Sequence, residues 1–182
     1  MSSGELHMHY VCTHDEAQKL IAAQDKFWVS NCGCRESKGH CSRSRIDVCL
    51  VFKSDIGASG SGLKEMSPAE VSAIMEEAKN KHLVTRPFRN MKEQSETEGI
   101  CFCCDDCCGY FNDPNEISDK GKFIAAIDEE SCAQCGDCVE VCYSKARDFS
   151  GGELLYDSDN CYGCGLCAQV CPEKCIEMAV RN

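Results

Sequence analysis

Nineteen of the 182 residues are cysteine, and eight of these fall in two matched runs. The first is Cys132-Ala-Gln-Cys135-Gly-Asp-Cys138-Val-Glu-Val-Cys142; the second is Cys161-Tyr-Gly-Cys164-Gly-Leu-Cys167-Ala-Gln-Val-Cys171-Pro172. Each reads C-x₂-C-x₂-C-x₃-C, and thiolates are soft ligands suited to iron, copper(I) or zinc. Three thiolates two residues apart on a tight, glycine-bearing loop reach three irons of one cubane. The fourth, on the following helical turn, points away toward a second cluster. The spacing therefore predicts two [4Fe–4S] sites that exchange their fourth ligands. Cluster I takes Cys132, Cys135, Cys138 and Cys171, and cluster II takes Cys142, Cys161, Cys164 and Cys167. Single C-x₂-C pairs also serve structural zinc, but eight cysteines in two matched runs do not read that way.

Residues 123–181 resemble a bacterial-type two-cluster [4Fe–4S] ferredoxin, on the strength of both runs and of their flanks, Phe123-Ile-Ala-Ala-Ile-Asp128 and Cys175-Ile-Glu-Met-Ala-Val180. The resemblance implies an α+β fold in which the flanks pair edge to edge as short strands, and a carrier of low-potential electrons. Gly151-Gly152 supplies the turn between the two halves of that fold. Two departures stand out. Tyr143 replaces the proline that normally follows the first run, which predicts a looser turn there. Cys175 stands where the first repeat has Ala146; it reads as a small buried residue, with a ligand or redox thiol as the alternative.

A second set of cysteines precedes this half: Cys32, Cys34, Cys41 and Cys49, then Cys101, Cys103, Cys104, Cys107 and Cys108. Core packing alone does not explain five cysteines in the eight residues 101–108. The expectation is that an intervening helix and loop bring both groups together around one or more metal sites. An additional iron–sulfur cluster is the first reading, because the donors are all thiolates. Structural zinc and redox-active thiols or a disulfide are the alternatives. The arrangement resembles the N-terminal domains of certain anaerobic ferredoxin-type iron–sulfur proteins. In these a C-x-C-Arg segment, an acid-rich helix and a dense cysteine cluster precede a two-cluster ferredoxin. In the denser form of that cluster another cysteine stands where Asp106 stands here. Cys107-Cys108-Gly109 also echoes the CCG motif of heterodisulfide-reductase-type subunits, without its wider spacing. Arg35, beside Cys34, reads as an ordinary exposed arginine, with a hydrogen bond to a sulfide as the alternative. His7 and His9 form a possible metal pair.

Three segments organise the chain: a Cys-rich α+β N-terminal domain over 1–111, a linker over 112–122, and the ferredoxin domain over 123–182. Thr13-His-Asp-Glu16 is a capping box that opens a short helix with Ala17, Leu20 and Ile21 as its apolar stripe. Phe27-Trp28-Val29 begins a strand. Ser67-Pro68-Ala-Glu70 opens a second helix, with Val71, Ile74, Met75 and Ala78 on one face and an end near Asn80. Leu83-Val84 reads as extended chain, and Met91–Gly99 as a polar loop. Residues 1–122 look thin in apolar material for a core of their own. The segment Gly57–Lys64 comes near a phosphate loop, but Leu63 occupies the lysine position and Glu65 the Ser/Thr position. It reads as a flexible loop, with no nucleotide.

The formal net charge is -11, which argues against nucleic acid. Residues 123–182 hold 11 acids and 4 bases, and residues 1–122 hold 19 acids and 15 bases. The C-terminal half is thus the more acidic, and the expected partner is a redox protein with a basic docking surface. The longest apolar run, Val48–Phe52, is too short to enter a membrane, and Met1–Tyr10 has no apolar stretch of secretory type. Thiolate-rich metal sites then point to a reducing cytoplasm. No His, Asp or Lys falls into an acid–base constellation, so no catalytic residue is assigned. The expected function is electron transfer. The alternatives are a redox enzyme subunit whose N-terminal cluster or thiols bind substrate, and a zinc-held docking adaptor.

Overall fold

Two capping boxes start the two longer helices of the N-terminal half, as their sequences predict. The computed structural model describes residues 6–56, 62–113 and 115–181; most of the near-phosphate loop, 57–61, lies outside them. In α1 (His14–Ala22) the Thr13 side chain accepts from the Glu16 backbone while Glu16 reaches back to Thr13. In α3 (Pro68–Asn80) Ser67 and Glu70 do the same, and Val71, Ile74, Met75 and Ala78 form its buried face. Between these helices run β1 (Phe27–Ser30), α2 (Gly33–Lys38), β2 (Cys49–Val51) and β3 (Lys64–Met66). β4 (Val84–Arg89) and β5 (Thr97–Cys103) follow, and the five strands form one antiparallel sheet in the order β3-β1-β2-β5-β4.

Two expectations are corrected here. The polar run Met91–Gly99 is a loop only as far as Glu96, because β5 begins at Thr97 and pairs with β4 through Arg86↔Cys101 and Val84↔Cys103. Gly99 reads as a breaker, yet it sits inside the strand because a Cβ there would overlap the Leu50 carbonyl and the Phe88 ring. Close backbone approach is the usual reason for glycine within a strand. The N-terminal half also has a core of its own: Leu50, Ile100 and Phe102 of the sheet pack with Val71, Ile74 and Leu83, all at most 1% exposed. Each such side chain contributes roughly 1.5–3 kcal/mol of transfer free energy.

A short helix, α4 (Gly109–Asn112), closes the dense cysteine cluster. Beyond it β6 (Phe123–Ile127) pairs antiparallel with β9 (Ile176–Val180), from Phe123↔Val180 to Ile127↔Ile176. β7 (Arg147–Ser150) and β8 (Glu153–Tyr156) form a hairpin across Gly151-Gly152. Both glycines have positive φ, 66° and 89°, as a two-residue turn of this hand requires. The last turns of the two cysteine runs form α5 (Asp137–Glu140) and α6 (Leu166–Val170).

The two halves share one core. Val141, Tyr143 and Leu166 of the second pack in the same cluster as Cys104 and Cys108 of the first. Residues 112–122 are bonded to both sides: Val11 N donates to Asp119 O (3.0 Å) and Gly121 N to Tyr162 O (2.8 Å). Tyr143 is not in a loose turn. It is 5% exposed, edge-on to Phe111, with the Arg43 guanidinium 4.8 Å from its ring centre.

His14 joins the halves directly: its Nε2 donates to Leu83 O (2.8 Å), and its Nδ1 accepts from the Gln169 amide (3.0 Å). Burial holds its imidazole below the usual histidine pKa, so the folded state keeps it neutral. Its contribution is present above the unfolded value of about 6.5 and is lost as pH falls from there toward the lower folded value. Thermal unfolding of the wild type should therefore weaken between pH 7.5 and 5.5 by more than that of His14→Gln. Equal slopes would remove His14 from the seam.

Candidate metal centres

The two C-x₂-C-x₂-C loops have the same backbone. Gln134 and Gly136 in the first, and Gly163 and Gly165 in the second, all have φ between 52° and 86°. Left-handed residues at matching offsets curl each loop so that its thiols face inward and its amides follow them; Gln134 N lies 3.4 Å from Cys132 Sγ. A Cβ at Gly163 would overlap the Phe123 carbonyl, so only the first loop has room for a side chain there.

Cys138 has Cys135 and Cys132 as neighbours. Cys171, from the other run, lies 3.4 Å from Cys175, which also hydrogen-bonds Cys132. Cys164 is surrounded by Cys167, Cys142 and Cys161, and burial pushes its thiol up to about 12. The fourth cysteine of each run thus stands beside the first three of the other. Cys175 is buried, 6% exposed, and is a fifth thiol at the Cys132 site.

Arg147, at the start of β7, is 2% exposed. Burial opposes its charge, and the Cys167 and Cys138 thiols, one from each site, offset that cost. Its Nη1 and Nη2 have no hydrogen-bond partner. A buried guanidinium with both ends open is costly unless anions face it, and cluster sulfurs are anions at that position. This pocket of four-thiolate sets, curled amides and an unsatisfied cation fits iron–sulfur clusters, which Cys132, Cys135, Cys138, Cys171 and Cys142, Cys161, Cys164, Cys167 would hold.

The nine N-terminal cysteines come together, as expected, but in three groups. Cys34 is hydrogen-bonded to Cys108 and to Cys32, and both bonds push its pKa down. Cys108 also bonds Cys103, lowering it in turn. Cys32, Cys34, Cys103 and Cys108 are therefore a connected set of four. Cys41, Cys104 and Cys107 form a compact trio, with Cys41–Cys104 and Cys104–Cys107 both 3.5 Å apart. Cys49 and Cys101 pair with each other, hydrogen-bonded through their thiols. Asp106 is no ligand to the trio: Lys38 Nζ (2.9 Å) and the Ser42 amide (3.1 Å) hold its carboxylate.

Arg35 corrects the sequence reading. It is fully buried, 0% exposed, donating to Arg45 O (2.8 Å) and Phe102 O (2.7 Å). Burial opposes its charge, while Cys32, Cys41, Cys107 and Cys104 favour it; it is the cation between the set of four and the trio. Arg86, 4% exposed, plays the same part beside the set of four, with Nη1 3.3 Å from Cys108 Sγ and its guanidinium over Tyr110. Sequence reasoning passed over Arg86 and Arg147. For Arg86 a signal existed, a lone cation within the apolar stretch Leu83–Phe88; for Arg147 there was none.

The histidine pair does not form. His7 Nδ1 lies 2.7 Å from Asp119, whereas His9 Nε2 lies 4.0 Å from Cys101 Sγ. Burial and then the Arg86 charge lower the His9 pKa to about 4, so this imidazole is neutral at neutral pH.

Residues 125–178 match a family model described as a 4Fe-4S dicluster domain. No curated protein matches the chain. The C-terminal part of the chain is thus an iron–sulfur domain of ferredoxin type, and the cysteines of the N-terminal part include a metal-binding group. No helix among the described residues is long and apolar enough to cross a membrane.

Proposed function

We propose that this protein carries low-potential electrons through three iron–sulfur sites to a larger oxidoreductase. The C-terminal pair is ligated with exchanged fourth cysteines, and Cys32, Cys34, Cys103 and Cys108 hold a third cluster. When bound, each cluster takes up and gives back one electron while its irons stay ligated. The chain's own residues set the path and the potentials. Arg147 places a cation between the two C-terminal sites, and Arg35 and Arg86 do so at the N-terminal one. One observation carries the reading: Tyr143 lies within electrostatic reach of both Cys104 and Cys164. The second ferredoxin site and the N-terminal thiols therefore border one packed core. At the other end the exposed Cys135 makes the first site the natural point of electron input. Nineteen free thiols call for a reducing compartment, the cytoplasm.

Anaerobically purified full-length protein should contain about twelve iron and twelve sulfide, falling to about eight of each in Cys34→Ser. Eight iron with no change in the variant would remove the third cluster. A second reading, a single zinc that turns the N-terminal half into a docking adaptor, is favoured by the 3.5 Å sulfur separations in the Cys41 trio; tetrahedral Zn–S bonds of about 2.3 Å put sulfurs roughly 3.8 Å apart. Zinc without the extra iron would establish it.

The partner should present a basic surface to the acidic C-terminal half. Electron transfer to it should slow as ionic strength rises, since exposed charges are screened over about 8 Å at physiological salt. A rate constant flat across that range would replace steering with apolar docking.

A further inference from the structure

With four of the nine N-terminal cysteines in the proposed cluster and three in the compact trio, Cys49 and Cys101 remain. They lie on neighbouring strands, β2 and β5, at the floor of a cleft of about 590 Å³. The same cleft is walled by Val51, Leu63, Phe88 and Met91, with Lys92 also among its lining residues. His9 reaches this floor from the N-terminal segment, which is bridged to β4 at Phe88. Its ring packs edge-on against Phe88 with centroids 6.0 Å apart, and its Nε2 is 4.0 Å from Cys101 Sγ. Two thiols and an imidazole thus converge at the base of an apolar cleft, and neither the electron path nor the trio uses them.

We propose that Cys49, Cys101 and His9 form a separate mononuclear zinc site whose fourth position opens into this cleft, where an organic thiol with an apolar body binds as the fourth ligand. Two cysteines and one histidine with an open position are a recognised catalytic zinc set, with Zn–S of about 2.3 Å and Zn–N of about 2.0 Å. These lengths place a sulfur and a nitrogen roughly 3.5 Å apart on one ion, so His9 closes on Cys101 by about half an ångström when metal enters. Among the described residues only the Cys41 trio has all its donors within 4.8 Å of one another. The Cys49 group is looser, and the metal must draw the imidazole in. A soft ion prefers a thiolate over water as its exogenous ligand. The walls of Val51, Leu63 and Phe88 favour an apolar body behind that sulfur, and Lys92 can meet an anionic tail.

The site rests on the assignment of Cys32, Cys34, Cys103 and Cys108 to the iron–sulfur cluster, and zinc and iron are measured separately so that the two can fail independently. Full-length protein, purified anaerobically with its iron, is loaded with zinc and examined by zinc-edge X-ray absorption. The same is done in a Cys107→Ser chain, which breaks the trio. The expected shell is two sulfurs with nitrogen or oxygen donors, rising to three sulfurs when benzyl mercaptan is added. His9→Gln should weaken zinc binding at least tenfold and leave the iron content unchanged. Where Cys49→Ser does not fold, His9→Gln carries the test, because it leaves the sheet intact. Three or four sulfurs before thiol is added, no response to thiol, or full zinc affinity in His9→Gln would each overturn the site. Loss of iron in His9→Gln would overturn it as well, by assigning His9 to the cluster. An iron count of eight in wild type, with the zinc results as expected, would overturn only the third cluster.

Discussion

In a Cys171→Ser chain the iron that is lost should come from the site of Cys132, Cys135 and Cys138, about 30 residues away in sequence, and not from the run that contains the mutation. The physical reason is direction. Cys171 lies beyond the end of α6, beside Cys175, which bonds Cys132, while Cys164 and Cys167 face Cys142. A serine hydroxyl is a harder and far less acidic donor than a thiol, so it does not replace the ligand at neutral pH. The 3.4 Å separation of Cys171 and Cys175 adds a refinement: the Cys175 thiol is placed to take over the vacated position. The single variant should then retain part of its first cluster, and the Cys171→Ser, Cys175→Ser double variant should lose up to four irons. Iron content with EPR of the reduced proteins distinguishes the sites. Loss confined to the Cys161–Cys167 site would refute the exchange of ligands.

Arg147→Met should lower the reduction potentials of both C-terminal clusters, because reduction adds negative charge beside a cation that is no longer there. A unit charge about 6 Å away at an effective dielectric of about 20 is worth about 3 kcal/mol, or on the order of 100 mV for one electron. The shift should reach both sites, since Arg147 faces Cys167 of one and Cys138 of the other. Protein stripped of metal should respond in the opposite sense. There the guanidinium is a buried cation with Nη1 and Nη2 unpartnered, and methionine of similar length removes that cost. EPR-monitored redox titration reads the first effect and chemical denaturation of the stripped protein the second. Unchanged potentials at both sites would mean that the cation does not face the clusters.

The sequence by itself determined the chemistry of the C-terminal half. The doubled C-x₂-C-x₂-C-x₃-C run, its strand flanks and the Gly151-Gly152 turn are local signals, since ligand spacing, period-2 alternation and positive-φ glycines act over a few residues. The two capping boxes at Thr13 and Ser67 were legible for the same reason: both partners of each lie three residues apart.

What stayed hidden depended on residues far apart in the chain. Gly99 reads as a loop residue until Leu50 and Phe88 arrive from two neighbouring strands to occupy the space of its missing side chain. Arg35 reads as a surface cation until β5 and the Cys101–Cys108 cluster close over it. The division of nine thiols into four, three and two, and the removal of His9 from His7 to the side of Cys101, were likewise decided by the tertiary structure. Sequence spacing states how many thiols are near one another along the chain, and only the packing of β2 against β5 and of α2 beneath the cluster states which of them share an ion.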